Sequence, residues 1–188
     1  MIKHILEEDL YVRITGFQNV EVENAKDLLR AVRTEKRANI QVQFFNAGVV
    51  VTWEHLYFAL LNALTAFRTK RNVSKSLAVE IMLYASAQRQ IKKAIELIGV
   101  KAGCSDVAVV VVGKKLRDVE TAVSAISRLF AKKPDEHVLE LSTLKKQEIC
   151  RAFTVSENEL AVVTKDGDAE KALVDVIIER VALLSTKL

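Results

Sequence analysis

Proline is almost missing from this chain: Pro134 is the only one in 188 residues. Glycine is sparse, with six, and cysteine rarer, with two. So little proline and glycine excludes a linker or a low-complexity segment. Cys104 and Cys150 form neither a disulfide framework nor a metal cluster. They are expected to be free thiols that pack as small apolar side chains. The histidines His4, His55 and His137 are scattered, and none has a zinc-binding spacing. There is no glycine-rich phosphate loop, because Gly113-Lys114-Lys115 lacks the preceding glycine, and no serine elbow. No apolar run reaches the roughly 18 to 20 residues of a membrane span. The start, Met1-Ile2-Lys3-His4, does not read as a signal peptide, so a cytoplasmic location is expected. With acid, base and nucleophile all lacking a constellation, the expectation is a non-enzyme: no catalytic residue, no metal and no cofactor.

What is present is apolar and helical in pattern. Half of the residues are hydrophobic. The length predicts one domain, residues 1–188, able to bury its own core. The net charge of +4, from 28 basic and 24 acidic residues, permits a nucleic-acid contact without demanding one. Placement of the charges therefore matters more than their sum.

The segment Trp53–Val100 organises the rest. Trp53, Leu56, Tyr57, Leu60, Leu61, Leu64 and Phe67 recur at steps of three and four, the stripe of a long helix capped by Thr52. A cationic break follows, Arg68-Thr69-Lys70-Arg71-Asn72. Ser74 is expected to cap a second helix through Leu77 and Ile81. Ser86 is expected to cap a third, with Ile91, Ala94, Ile95 and Ile98 inward and Gly99 as its left-handed end. Before this segment, Leu10–Ile14 reads as an edge-like strand ending at Gly16. Val22, Ala25, Leu28, Leu29 and Val32 suggest an amphipathic helix, and Asn39–Phe45 a second strand with Ile40, Val42 and Phe44 on one side. After it, the β-branched run Asp106–Gly113 predicts a central strand covered on both faces. Asp118 should cap a helix through Phe130, with Val119, Ala122, Val123, Ile126 and Leu129 inward. Val138, Leu139 and Leu141 read as a short strand. Ser142 or Thr143 should cap a helix to about Phe153, and Ser156 with Glu159 has capping-box spacing. Asp168 should cap a last helix to about Leu184. The fold class expected is α+β: a small mixed or antiparallel sheet packed against a layer of several helices.

Two surfaces stand out. The last helix carries more apolar surface than one intramolecular face requires. Leu173, Ile177, Val181 and Leu184 make one stripe, flanked by Val174 and Ile178 on one side and Val176 and Leu183 on the other. One reading buries the helix between two layers; the other has it dock inward and also meet a partner. The second surface is cationic: Arg68, Lys70, Arg71 and Lys75, then Arg89, Lys92 and Lys93. One reading is a solvated charge run. The other is an anion site, with helix-start N–H groups helping the side chains and Arg89 stacking on a base or forking onto a phosphate.

Ser74-Lys75-Ser76-Leu77, Glu80-Ile81, Tyr84-Ala85-Ser86, Arg89-Gln90-Ile91, Ala94 and Gly99-Val100, in that order, resemble the signature of the small kinase-binding subunit of the KEOPS complex, the TPRKB family. Glu54-His55-Leu56 fits the same pattern. Glu179-Arg180-Val181-Ala182-Leu183-Leu184 is similar to the end of its archaeal-type members. The resemblance implies a non-catalytic regulatory subunit of a complex that makes N6-threonylcarbamoyladenosine (t6A) in tRNA. Its implied partners are the N-lobe of the small atypical kinase/ATPase subunit, the single-stranded 3′ CCA end of tRNA and, indirectly, the other subunits. Under it, Arg68, Lys70, Arg71, Lys75, Arg89 and Lys92 are expected to hold tRNA. Val174, Ile178, Val181 and Ala182, with part of the Trp53–Phe67 helix, are expected to meet the kinase. Lys75 keeps the charge of an arginine there but not its fork.

Two rivals remain. One is a purely protein-binding kinase adaptor without RNA contact, against which the Arg89-Gln90 pair speaks. The other is a small cytosolic enzyme built from distant residues such as Glu54, His55 and Asp106.

Overall fold

The computed structural model describes residues 1–22, Leu28 and 40–186. Among them are four strands and seven α-helices, an α+β fold. The chain divides into two compact units, each discontinuous in sequence. The first is Met1–Ala47 with Gly99–Val138; the second is Gly48–Ile98 with Leu139–Leu188.

The first unit is an antiparallel sheet in the order β1-β2-β4-β3, where β1 is Ile2–Ile5, β2 Leu10–Phe17, β3 Ile40–Asn46 and β4 Val107–Gly113. The valine run of β4 is buried throughout and lies between β2 and β3, as an apolar run with no polar alternation requires. β2 is not the edge strand its alternation suggested. Ile2–Ile5, which lacks a clear pattern, pairs beside it and takes the edge. Nor does β2 stop at Gly16. There the strand passes under the loop Asp135–Val138: a Cβ on Gly16 would come within 2.5 Å of Val138 Cβ and 2.8 Å of Asp135 O. The glycine serves close approach, and its carbonyl accepts from Asp135 N at 2.8 Å.

Helix α1 of the second unit is Trp53–Arg68. The helix on the sheet of the first unit, Leu116–Phe130, is α4, after α2 (Leu77–Ala85) and α3 (Ile91–Ile98). Val119, Ala122, Val123 and Ile126 of α4 pack on Phe17, Phe44 and alternate valines of β4. Leu129, expected inward, is 43% exposed. Asp118 lies inside the first turn rather than at the cap, which is Lys115. The helix expected over Val22, Ala25, Leu28, Leu29 and Val32 falls largely outside the described residues; Leu28 is described and buried in this core. Val138 and Leu139 belong to a 3-10 turn, Glu136–Leu139, and Leu141 follows it, so the short strand expected there does not form. The Asp135 carboxylate accepts from His137 N at 3.0 Å, which turns the backbone there instead of extending it.

The second unit is helical: α1–α3, then α5 (Thr143–Phe153), α6 (Glu157–Val163) and α7 (Ala169–Leu183). Ser142, Ser156 and Asp168 cap α5, α6 and α7 as read, each accepting from the N–H three residues on. Other punctuation differs. Thr52 is the cap of α1, but its hydroxyl makes no capping bond and is buried without a partner. Ser74 does not cap α2; Ser76 does, and Ser74 Oγ accepts from Ser76 N at 3.1 Å. Ser86 ends α2 rather than starting α3, its hydroxyl bonded to Leu83 O. Gly99 is not left-handed. That conformation falls to Lys70, Ala87, Ala131 and Thr154 at helix ends. α1 and α7 pack on each other. The core between α5, α6 and α7 joins Val51, Ile149, Phe153, Val155, Leu173, Val176 and Ile177.

Candidate functional site

The cationic surface is built by the connection from α1 to α2. At the end of α1 the chain turns through Lys70 in the left-handed region, with Arg71 N bonded back to Ala66 O at 2.8 Å. This is the six-to-one bond of a Schellman ending, made without glycine. The loop then bends around a buried carboxylate. Glu80 is 2% exposed and accepts from Ser74 N at 2.7 Å and from Val73 N at 3.1 and 3.2 Å. Asn72 Nδ2 adds a bond to Ser74 O at 2.9 Å. Glu80 therefore occupies two N–H groups of the cationic loop, those of Val73 and Ser74.

Two of the cationic side chains converge. Arg71 and Arg89 line one cavity of about 670 Å³, together with Asn62 and Thr65 of α1, Thr69 at its C-terminal cap, Tyr84 and Glu80 of α2, and Leu184–Thr186 after α7. Both arginines are exposed. Burial raises the Tyr84 hydroxyl above its ordinary pKa and Glu80 adds to this, while the charge of Arg89 acts against them. The ring is thus protonated and stands beside a cation. Arg68, Lys70, Lys75 and Lys92 are exposed but lie outside the cavity lining; Lys92 faces Glu96 one turn on, at 4.0 Å. Glu80 was not anticipated as a site residue. The signal was available, as it is the single acid among seven basic residues between Arg68 and Lys93.

The last helix divides its apolar surface. Leu173, Ile177, Val181 and Leu184 are buried in their own unit, and so is Val176. Val174, Ile178 and Ala182 form a row at four-residue steps; the first two are half-buried and Ala182 is exposed. Val181 is 0% exposed, beneath that row. Leu183 is 44% exposed. Val174 shares a shallower groove of about 430 Å³ with Trp53, Glu54, Leu139 and Leu141. From Trp53 the outer side of α1 continues through Tyr57 and Phe58, whose rings follow one another at centroid distances of 6.0 and 6.4 Å. Arg180 is held within its own unit: Nη2 donates to both Glu159 carboxylate oxygens, at 2.7 and 2.8 Å, and Nη1 donates to Phe153 O, tying α7 to α6 and to the end of α5.

His55 is fully buried. Its Nε2 donates to Ala85 O at 2.7 Å and its Nδ1 accepts from Val51 N at 3.4 Å. Burial lowers its pKa to about 4, with Lys145 adding to the shift and the Ala85 bond opposing it. Both ring nitrogens are engaged in holding the start of α1, the work of a structural histidine. Among the described residues no cluster of His, Cys, Asp and Glu has a metal-binding arrangement.

The family model described as kinase binding protein CGI-121 matches residues 17–185. The chain belongs to that family. The regulatory protein Cgi121 of Methanocaldococcus jannaschii is 32% identical over 121 residues, which cover 62% of this chain and 72% of that protein. Family membership bears out the resemblance carried by the Ser74–Val100 signature, and the match to an archaeal relative agrees with the archaeal-type ending at Leu184.

Proposed function

We propose that this chain is the non-catalytic regulatory subunit of a cytoplasmic KEOPS complex, which forms t6A in tRNA. It docks on the N-lobe of the small kinase/ATPase subunit and recruits tRNA by its 3′ CCA end. The kinase half follows the family description, kinase binding protein, and the name of the archaeal relative, a regulatory protein. The row Val174–Ile178–Ala182 and the neighbouring Trp53–Phe58 side of α1 supply the apolar contact, because a helix face half-covered by its own unit gains by burying the rest.

The observation that carries the RNA half is the convergence of Arg71 and Arg89 on one cavity beside Tyr84. Two guanidinium groups match phosphate oxygens, and the space between apolar and aromatic walls matches an unpaired nucleotide. Arg68, Lys70, Lys75 and Lys92 add sequence-independent attraction for the backbone leading in.

Filter binding of tRNA with and without its terminal CCA tests this. Intact tRNA should bind at least about tenfold tighter, in line with the loss of one or two stacked bases. Equal binding refutes the end-specific reading, and no binding of either leaves the protein adaptor without RNA contact.

A further inference from the structure

The connection from α6 to α7 is a tight turn, Lys165-Asp166-Gly167-Asp168, closed by a bond from Asp168 N to Lys165 O at 3.1 Å. Asp166 has φ 54° and Gly167 φ 76°. Positive φ at both central residues makes this a type I′ turn. Asp166-Gly167 is also the single Asp-Gly pair of the chain, and there is no Asn-Gly pair. The other seven aspartates precede leucine, valine, glutamate or alanine, whose side chains shield the following backbone nitrogen.

This pair is open to attack of the Gly167 nitrogen on the Asp166 side chain. Both residues are exposed. Among the described residues, neither the Asp166 carboxylate nor the Gly167 N–H has a hydrogen-bond or ion-pair partner. A Cβ built on Gly167 would meet nothing within 4 Å, so the space beside it is clear. The backbone is also half-way to the required shape. A five-membered succinimide holds the aspartate ψ near about −120°, and a type II′ turn has about that ψ with φ near +60° at the same position. Rotating one peptide unit, between Asp166 and Gly167, turns type I′ into II′ and leaves φ of Asp166 as it is. The positive φ that L residues seldom adopt is already in place.

We propose that Asp166-Gly167 is a site of spontaneous covalent modification, which closes to a succinimide and opens to isoaspartate. Gly167 N attacks Cγ of the protonated Asp166 carboxyl. The C–N bond forms, the C–O bond breaks, and the amide hydrogen leaves with the hydroxyl as water. Water then adds at one of the two ring carbonyls. Opening at Cγ restores aspartate. Opening at the main-chain carbonyl leaves Asp166 joined to Gly167 through Cβ, with the former main-chain carbonyl as a free carboxylate. That carboxylate is the substrate of an isoaspartyl carboxyl methyltransferase, which takes its methyl group from the sulfonium of S-adenosylmethionine. The altered main chain is longer by one methylene, two residues before Asp168, whose carboxylate caps α7 by accepting from Lys171 N at 2.9 Å. Displacing that cap should lower the thermal midpoint by about 2 to 4 °C. The chemistry depends on neither the kinase reading nor the RNA reading.

The test is to age the whole chain, warm and at mildly acidic pH, and to map its peptides over time. The succinimide appears as a peptide lighter by one water. Isoaspartate appears as a peptide of unchanged mass that endoproteinase Asp-N no longer cuts before position 166. Conversion should begin at Asp166 ahead of every other aspartate, and transfer of a labelled methyl group by the methyltransferase should rise with it. Asp166→Glu, which would need a six-membered ring, should accept no methyl group and keep its thermal midpoint on ageing. Thermal unfolding of the fresh variant confirms that it folds. An Asp166 that stays intact, or conversion spread evenly over the aspartates, overturns the proposal. So does methyl transfer undiminished in Asp166→Glu. A midpoint that falls equally in aged Asp166→Glu overturns the effect on the α7 cap.

Discussion

Glu80 and His55 are buried ionisable groups: the first shapes the cationic loop, the second holds the start of α1. Glu80 has its two oxygens on the N–H groups of Val73 and Ser74, so it sets the path of the loop that presents Arg71 and Lys75. Removing it leaves two N–H groups without acceptors. Glu80→Ala should therefore cost about 2 to 3 kcal/mol of stability and weaken RNA binding through a disordered loop. Glu80→Gln, whose single oxygen still reaches both N–H groups, should be milder in both. Urea unfolding and anisotropy on the same variants check this; an alanine variant as stable as the parent would contradict it. His55 supplies a pH dependence with a definite sign. Its folded pKa is about 4, below the ordinary 6.5, so the unfolded chain takes up the proton first. The stabilisation is complete above about pH 6.5 and is lost as pH falls towards 4, to a total of about 3 kcal/mol at the usual 1.4 kcal/mol per unit. The urea midpoint should fall over that window with uptake of one proton per unfolding event, and a flat profile would show that His55 is not held neutral. The sequence displayed the arginines plainly. It did not display the role of Glu80, because a carboxylate six residues beyond the N–H groups it binds has no local pattern.

Element ends were harder to read than element faces. The caps Ser142, Ser156 and Asp168 were legible because each acts within one turn. Ser74 and Ser86 have the same chemistry but serve a loop and a helix C-terminus, a choice made by Glu80 and by the path into α3. With only six glycines, the chain ends four helices on Lys70, Ala87, Ala131 and Thr154 in the left-handed region, a cost of about 1 kcal/mol each that a glycine would avoid. The last helix shows why apolar arc alone does not locate a partner surface. Its excess was evident from Leu173 to Leu184, yet most of it is used within the second unit. The row Val174–Ile178–Ala182 is what remains. Ile178→Glu places a charge in that row without entering the core. It should abolish co-purification of the kinase subunit while shifting the unfolding midpoint of the chain alone only slightly. Retention of the kinase by this variant would move the interface elsewhere.

At the scale of the whole molecule the charge is nearly balanced, at +4, but its distribution is not. Between Arg68 and Lys93 stand seven basic residues, and their one acid is buried and bonded. Binding of a single strand there should be steeply dependent on salt. With about three phosphates neutralised, log affinity should fall with log salt at a slope near −2. A slope near zero, measured by the same anisotropy titration between low and physiological salt, would show that these cations do not contact the backbone.

The sequence by itself determined the fold class and the elements with strong periodicity. The valine run of β4 had to be central, and the amphipathic spacing of α1, α4 and α7 had to be helical, because those patterns report burial directly. It also marked the family, through an ordered set of residues from Ser74 to Val100. Tertiary structure alone decided which cations act together. Arg71 and Arg89 are eighteen positions apart in the chain, and only the packing of α1, α2 and the end of α7 puts them around one cavity. It also decided that Glu80 takes the N–H groups of Val73 and Ser74 in the cationic loop. These properties depend on distances between groups far apart in the chain, and no periodicity encodes such distances.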